Sequence, residues 1–430
     1  MRSRLVGCLA AAAVLVAGCT GGEPSSSSAT PAPPPPRQHV EPPTLEPIKV
    51  DPSPLWDSDS IPLKIGYHQR FATRPEIRGD TVILFGTGDD LRTSALAVVD
   101  APIGKPLWSY REGERLRSGK GEAFVSTGAI KTVDLPGGRW GVLVVFGFPT
   151  KPYGLVEARG QALLAQDGQV LWTSPIDGSL TAMAANDKTV FTWRGSNADR
   201  ATVAIDIATG KRIWDNIGSI PYAVASGTVV SLRPTPETAG GNLDDQAGAI
   251  TGVDSATGTQ RWDLGARYPK ARPIATAGHL VLVHTDYAKY EARRVIVLDA
   301  RTGTEIADLG EAPSDACGGD GRTIVACAVR DRSAPAYQYD LRSVRADEGR
   351  VHISARTVTA GRIDGIWAGR IFLTDFPMGK HPHGTTIVDR EGNQLSQKLL
   401  MLGTAAVSDT YVAVQQPSGV GPIAIHRIVR

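Results

Sequence analysis

The segment IDIATGKRIW, residues 205–214, is matched further along the chain by GVDSATGTQRW, residues 252–262. Both segments place an aspartate after an apolar run, then Thr-Gly, a cation or polar residue, and a tryptophan. Related copies end at Trp108 and Trp172, and another runs from Val295 to Ala307. The chain is therefore built from one repeated unit.

The aspartates that mark the copies recur at intervals typical of propeller blades. The seven markers, two of them in weaker copies, are Asp100, Asp167, Asp206, Asp254, Asp299, Asp340 and Asp389. Their successive gaps are 67, 39, 48, 45, 41 and 49 residues, and a period of about 40–50 residues is typical of a four-stranded blade. The longest gap is interpreted as one blade with an insertion near residues 121–159.

Each part of the repeat has a role that its chemistry predicts. The apolar run forms a buried strand, and the aspartate side chain accepts backbone N–H groups at the start of a turn. The glycines supply a positive φ in a short hairpin loop; they are Gly210, Gly258 and Gly303. Indoles on the following strand are expected to fill the gap to a neighbouring blade; they belong to Trp108, Trp172, Trp214 and Trp262.

This pattern resembles the PQQ-like β-propeller repeat, most specifically at Thr209-Gly210-Lys211 with Trp214 and at Thr257-Gly258 with Trp262. The resemblance implies an all-β propeller of four-stranded antiparallel blades. Strand-like runs at 410–414 and 423–429 follow the last marker and lack an outer strand. We expect the segment IPLKIGYHQ, residues 61–69, to pair with them and to close a ring of eight blades, with seven as the alternative.

The N-terminus is typical of a secretory signal. Arg2 and Arg4 precede an apolar run of 13 residues, Leu5 to Ala17, which is shorter than the roughly 20 residues that a membrane-spanning helix needs. The run ends in Val-Ala-Gly-Cys, which resembles the lipobox of bacterial lipoproteins and implies lipidation of Cys19. An ordinary signal peptide with a chance cysteine is the alternative.

Composition divides the chain into three predicted segments. Residues 1–18 form a lipoprotein signal peptide, residues 19–58 the lipidated cysteine with a Ser/Pro-rich disordered tether, and residues 59–430 the propeller. Lys and Arg number 46 and Asp and Glu 44, so no strong field favours nucleic acid. The predicted location is extracytoplasmic, with a lipid anchor in the bacterial cell membrane, the alternative being the outer membrane if the bacterium is Gram-negative.

Two cysteines remain, Cys317 and Cys327, on either side of a Gly-Gly-Asp-Gly turn. An extracytoplasmic compartment permits a disulfide across such a hairpin. The alternative is a pair of buried free thiols.

Catalytic motifs such as G-x-S-x-G, H-E-x-x-H and the P-loop are missing from the sequence. The pair His381 and His383, or the acids within 87–90 and 242–248, could bind a metal, but solvated loops are the favoured interpretation. No cofactor is predicted.

The chain also looks like the BamB-type lipoproteins, which use this propeller as a scaffold. The resemblance implies a monomeric, non-enzymatic module that binds a protein partner in the cell envelope. Two alternatives remain: a quinone-dependent dehydrogenase holding PQQ with calcium, and a receptor for a glycan or metabolite.

Overall fold

The computed structural model describes residues 45–61, 75–87, 94–111, 124–125, 131–149, 156–175, 184–194, 200–234, 247–287, 292–330, 338–358, 361–374, 384–396, 404–415 and 422–429. Strands dominate these stretches, interrupted by two short 3-10 helices, Ser58–Ser60 and Ser314–Ala316. No helix within them is long and apolar enough to cross a lipid bilayer.

The described strands form eight separate antiparallel sheets, which we number as blades 1 to 8 along the chain. Within a blade, the strands are numbered from the centre of the ring outwards.

Blades 1 to 4 have these strands. Blade 1 contains Glu76–Arg78, Thr81–Thr87, Ser94–Asp100 and Pro106–Arg111. Blade 2 contains Phe124–Val125 with Lys131–Leu135, Arg139–Pro149, Val156–Ala165 and Val170–Pro175. Blade 3 contains Ala184–Ala185, Thr189–Arg194, Ala201–Asp206 and Arg212–Ile217. Blade 4 contains Ile220–Ala225, Thr228–Pro234, Gly248–Asp254 and Gln260–Asp263.

Blades 5 to 8 complete the set. Blade 5 contains Arg272–Ala277, Leu280–His284, Arg293–Asp299 and Glu305–Ala312. Blade 6 contains Cys317–Gly319, Ile324–Arg330, Tyr339–Arg345 and Val351–Ile353. Blade 7 contains Arg362–Trp367, Arg370–Thr374 and Thr385–Val388. Blade 8 contains Thr404–Val407, Tyr411–Gln415 and Ile423–Val429, with Lys49–Val50 and Trp56–Asp57 on its outer edge.

The blades are arranged as a closed ring. First strands of successive blades contact one another from blade 3 to blade 8, and the first strand of blade 8 contacts that of blade 1. Arg78 of blade 1 reaches Thr132 of blade 2, and Gln161 of blade 2 donates to Thr192 of blade 3 at 2.8 Å. The prediction of an eight-bladed propeller is confirmed, and the seven-bladed alternative is excluded.

The hydrophobic core consists of eight layers, one between each pair of neighbouring blades. Side chains alternate along a strand, so Val82 and Leu84 face blade 8 while Ile83 and Phe85 face blade 2. Because both faces of each sheet are buried, the middle strands are almost continuously apolar rather than alternating.

An N-terminal segment closes the ring, as predicted, but it is not the predicted one. Lys49 pairs with Val429 and Trp56 with Ile425. Ile61 is buried after a 3-10 helix, outside any strand, and residues 62–69 lie outside the described residues. The propeller therefore includes residues 45–58, which the sequence analysis assigned to the tether. The apolar residues Ile48, Val50 and Trp56 explain the difference, since all three are buried.

Two smaller expectations also change. Asp340 lies within the third strand of blade 6 and does not begin a turn; Arg345 does, because its carbonyl accepts from Gly349 N–H. The longest gap between markers corresponds to one blade, as expected, but much of its length is ordinary strand. Blade 2 has a first strand in two pieces and middle strands of 11 and 10 residues.

Candidate functional site

The repeat turn has the same hydrogen bonds in several blades. In blade 3, Asp206 Oδ1 accepts from the backbone N–H and the hydroxyl of Thr209, at 2.8 and 2.6 Å. Gly210 has a φ of 70° and donates its N–H to the Asp206 carbonyl at 2.8 Å. The turn aspartates of the other blades accept backbone N–H groups in the same way: Asp100, Asp167, Asp254, Asp299 and Asp389. Each of these carboxylates therefore accepts hydrogen bonds from its own turn.

Arginines reinforce two of these turns. Arg261 lies 2.5 Å from Asp254, and Arg301 lies 2.5 Å from Asp299. Although partial burial acts to raise it, hydrogen bonds from Arg261, Thr257 and Ala256 hold the pKa of Asp254 at about 2. The hydrogen bond from Arg301 likewise lowers the pKa of Asp299. Both groups are therefore fixed anions rather than proton donors at neutral pH.

Tryptophans join five pairs of neighbouring blades. The indole of Trp172 lies over Gly210 of the next blade and donates its Nε1–H to the Ile207 carbonyl at 2.8 Å. A Cβ on Gly210 would stand 2.7 Å from the ring, so glycine is required at this contact. The other four indoles donate in the same way: Trp56 to Ala101, Trp108 to Gln166, Trp214 to Ser255 and Trp262 to Ala300.

Three joints use other chemistry at the tryptophan position. Blade 5 has Ala307, opposite Val297. Blade 6 has His352, whose Nε2 lies 2.9 Å from Glu391 of blade 7. Blade 7 has Leu395, which packs with Ile48 of blade 8. Tryptophan contacts thus connect blades 8, 1, 2, 3, 4 and 5 in succession. The joints between blades 5 and 6, 6 and 7, and 7 and 8 use other residues.

The disulfide between Cys317 and Cys327 lies within the part of the ring whose joints use other residues. The two residues are direct cross-strand partners on the first and second strands of blade 6. Both side chains are buried in the layer between blades 5 and 6. The bridge therefore strengthens a blade whose preceding joint has no tryptophan.

A charged network lies on the first strands of blades 1 and 2, which line the centre of the ring. Arg78 donates to the Thr132 hydroxyl at 2.9 Å and to Asp134 at 3.1 Å. Glu76 accepts from the Thr132 hydroxyl and, at 3.3 Å, from its backbone N–H. Burial lowers the pKa of Lys131, an effect that the nearby Glu76 partly offsets.

A second polar group lies between blades 4 and 5. The Arg272 guanidinium is 5.6 Å from the ring centre of Tyr222 and 4.6 Å from that of Tyr287. His284 is fully buried nearby, bonds the Ala312 carbonyl through Nε2 at 2.7 Å, and has a pKa lowered by burial. Such cation–π contacts stabilise an arginine at a partly buried position.

The outer surface carries a row of exposed aliphatic side chains, which we call the rim row. Its members directly precede a joint tryptophan in four consecutive blades, and their exposed fractions are 40% for Leu55, 54% for Leu107, 47% for Leu171 and 47% for Ile213. In blades 1 to 3 this residue has no cross-strand partner, because the register shifts there. A β-bulge of this kind turns the extra side chain out of the ladder.

Several sequence-predicted candidates cannot be placed. Cys19, His381, His383 and the acids at 88–90 and 242–246 lie outside the described residues. Within the described part of the chain, no group of three or more His, Cys, Asp or Glu side chains is arranged to hold a metal ion.

Three features were missed at the sequence level. The joint residue Trp56 precedes the first repeat copy and has no D-x-x-T-G turn before it, although the dipeptide Leu55-Trp56 matches Leu107-Trp108 and Leu171-Trp172. The same alignment identifies the residues of the rim row, but it does not predict that their side chains are exposed. The charged network is not predictable from the sequence, because its residues lie in two different blades and come together only in the folded protein.

The architecture defines the class of protein: an eight-bladed β-propeller with a repeat turn and interblade tryptophans. A family model described as the outer membrane protein assembly factor BamB matches it at residues 56–220, 97–264 and 161–330. Together these matches span more than half of the chain, which belongs to this family. A search of curated proteins found no significant match.

One solved propeller agrees with this chain at the level of the fold, and two further structures are similar over most of its length. The Dos1 propeller superposes with a TM-score of 0.50 at 10% identity, covering 89% of this chain and 95% of its own. BamB from Moraxella catarrhalis gives a TM-score of 0.35 at 13% identity, covering 82% and 84%. A europium-containing methanol dehydrogenase gives 0.41 at 12% identity, covering 85% and 83%.

Proposed function

We propose that this protein is a lipid-anchored, extracytoplasmic scaffold whose propeller binds a protein partner in the cell envelope. Membership of a family described as an outer membrane assembly factor supports a role in assembly rather than in metabolism. The rim row is the observation that carries the proposal.

The fold does not explain the rim row. The bulged position before a tryptophan is solvent-exposed, and blade 4 places Arg261 there, ion-paired with Asp254. A charged residue is therefore compatible with the bulge. Aliphatic residues at this position in four consecutive blades leave apolar side chains in water, and we infer that their repetition at one structural position serves the binding of a partner.

One further observation supports the location. The Cys317–Cys327 bridge fits an oxidising compartment.

The test of binding uses photo-crosslinking in cells with the full chain. A photoreactive residue at Lys105, close to Leu107 in the sequence, should give a defined crosslinked product with wild-type protein. Leu107→Asp with Leu171→Asp should remove at least nine-tenths of this product. The matched control is Ile353→Asp, since Ile353 is 53% exposed on blade 6 and outside the rim row. Equal loss in the control, or no loss in the double variant, would contradict the proposal.

The anchor is tested separately. Cys19→Ala should move the protein from the membrane to the soluble fraction, and mass spectrometry of the wild-type N-terminal peptide should show the acyl chains. A variant that stays in the membrane would refute lipidation without bearing on the rim row.

The charged network favours a second candidate function, the binding of a small ligand at the centre of the ring. PQQ with calcium and a panel of glycans would be added to the purified protein and thermal unfolding followed. A ligand that binds the native state raises the midpoint, and Lys131→Met should abolish the increase.

A further inference from the structure

The joint between blades 5 and 6 has the frame of a tryptophan contact without the tryptophan. Ala307 stands opposite Val297, as Trp214 stands opposite Ala204 two blades earlier. The facing turn of blade 6 ends in Gly349, which has a φ of 63° and donates to the Arg345 carbonyl at 3.0 Å. This turn matches the one that Gly210 forms with Asp206.

The space above this glycine is open. No described atom lies within 4 Å of the point where a Cβ on Gly349 would stand. At the five tryptophan joints an indole carbon lies 2.7 or 2.8 Å from the equivalent point. Gly349 is accordingly exposed to solvent, whereas its counterparts are buried or partly covered.

A hydrogen-bond acceptor is also in place. Indoles over Gly210 and Gly303 donate to the carbonyl three residues earlier in the chain, that of Ile207 and that of Ala300. The corresponding carbonyl in blade 6 belongs to Ala346, whose oxygen accepts no hydrogen bond from the described residues.

We propose that Ala307, Gly349 and the Ala346 carbonyl form a binding slot for an aromatic side chain, above all an indole, of a partner protein. The five occupied joints show which chemistry fits this frame: a flat apolar ring over glycine, with one N–H donated to a backbone oxygen. Burying an indole removes roughly 150–250 Å² from water. The supply of this ring by another protein rests on the proposed scaffold function, whereas the slot itself does not.

The slot is tested with N-acetyl-tryptophanamide as the probe and the full mature chain carrying Cys19→Ser. Ligand-observed NMR should detect millimolar binding, and N-acetyl-leucinamide should bind at least tenfold more weakly. Ala307→Trp places an indole in the slot and should abolish binding of the probe. Trp172→Ala opens an equivalent slot over Gly210 and should add a second binding site, which serves as the positive control.

A second variant covers the case in which Ala307→Trp does not fold. Gly349→Ala adds a Cβ where the ring would lie and should weaken the probe at least fivefold. Absence of binding to the wild-type chain, or equal binding by wild type and both slot variants, would overturn the slot. Probe binding that Ala307→Trp abolishes, together with a partner crosslink that Ala307→Trp leaves unchanged, would overturn the assignment to a partner and leave the rim row untouched.

Discussion

The indole of Trp56 lies over Gly104 and donates its N–H to the Ala101 carbonyl at 2.7 Å. Trp56 belongs to the outer edge of blade 8, and Gly104 to the repeat turn of blade 1. The contact completes the series of tryptophan joints across the point where the ring closes. It gives this joint the same chemistry as joints between blades that follow each other in the chain.

Replacing Trp56 by alanine should destabilise the protein by about 3–5 kcal/mol, because the change empties a buried, hydrogen-bonded site. Urea unfolding followed by tryptophan fluorescence and circular dichroism measures the loss. Leu55→Ala is the control, since Leu55 is 40% exposed and should change stability by less than about 0.5 kcal/mol. Equal effects of the two substitutions would show that Trp56 does not hold the joint.

Gly210→Ala and Gly218→Ala separate backbone strain from the loss of a tryptophan contact. The two glycines have φ values of 70° and 81°, so either alanine costs about 1 kcal/mol in backbone conformation. A Cβ at Gly210 also meets the Trp172 ring at 2.7 Å, whereas none of the described atoms lies within 4 Å at Gly218. Gly210→Ala should therefore destabilise the protein by at least about 2 kcal/mol more. A difference below the error of the unfolding measurement would contradict the interpretation.

Acid should lower the free energy of unfolding, because it protonates the aspartates of the repeat turns. The pKa of Asp254 is about 2 in the folded protein, below its ordinary value of 3.8. Stabilisation from this carboxylate is therefore fully present above about pH 5 and is lost as the pH falls towards 2. Because the ion pair with Arg261 lies near the surface, where solvent screens it, the contribution amounts to about 1 kcal/mol or less. Arg261→Gln should reduce the difference in free energy of unfolding between pH 5 and pH 2.5. An unchanged pH dependence would show that Arg261 does not set this pKa.

Removing the disulfide should lower stability by about 2–3 kcal/mol, as expected for a bridge that closes a short loop. The double variant Cys317→Ser with Cys327→Ser should unfold at lower urea concentration than the oxidised wild type. Dithiothreitol should lower the wild-type midpoint and leave that of the variant unchanged. A reductant effect of equal size in both proteins would contradict this.

The sequence predicts much of the architecture because the repeat turn uses local chemistry. Thr209 and Gly210 both donate hydrogen bonds to Asp206, within five residues of the chain. The same sequence pattern therefore specifies the same hairpin wherever it occurs. Seven marker aspartates, four of them followed by a tryptophan, predicted seven blades, and the strand-like runs after the last marker predicted the eighth.

The features that were missed depend on contacts between distant segments. Lys49 and Val50 form a strand because they pair with the C-terminal strand, and a few apolar residues within a Pro-rich segment do not by themselves predict that pairing. The exposure of Leu107 follows from a β-bulge, and the presence of an apolar residue in the sequence does not predict a bulge. The open position over Gly349 depends on Ala307, a residue of the preceding blade that carries no chemical signal by itself.

The pairing of Lys49 with Val429 places the first and the last strand of the described residues in one sheet. During synthesis, the first strand therefore stays unpaired until almost the last residues have been made, and only then can the ring close. Loop closure over such a distance slows folding. A chain truncated before blade 8 would leave Lys49–Val50 and Trp56–Asp57 without a partner strand and would expose the apolar face of blade 1 that packs on blade 8, so it should be less soluble than the full chain.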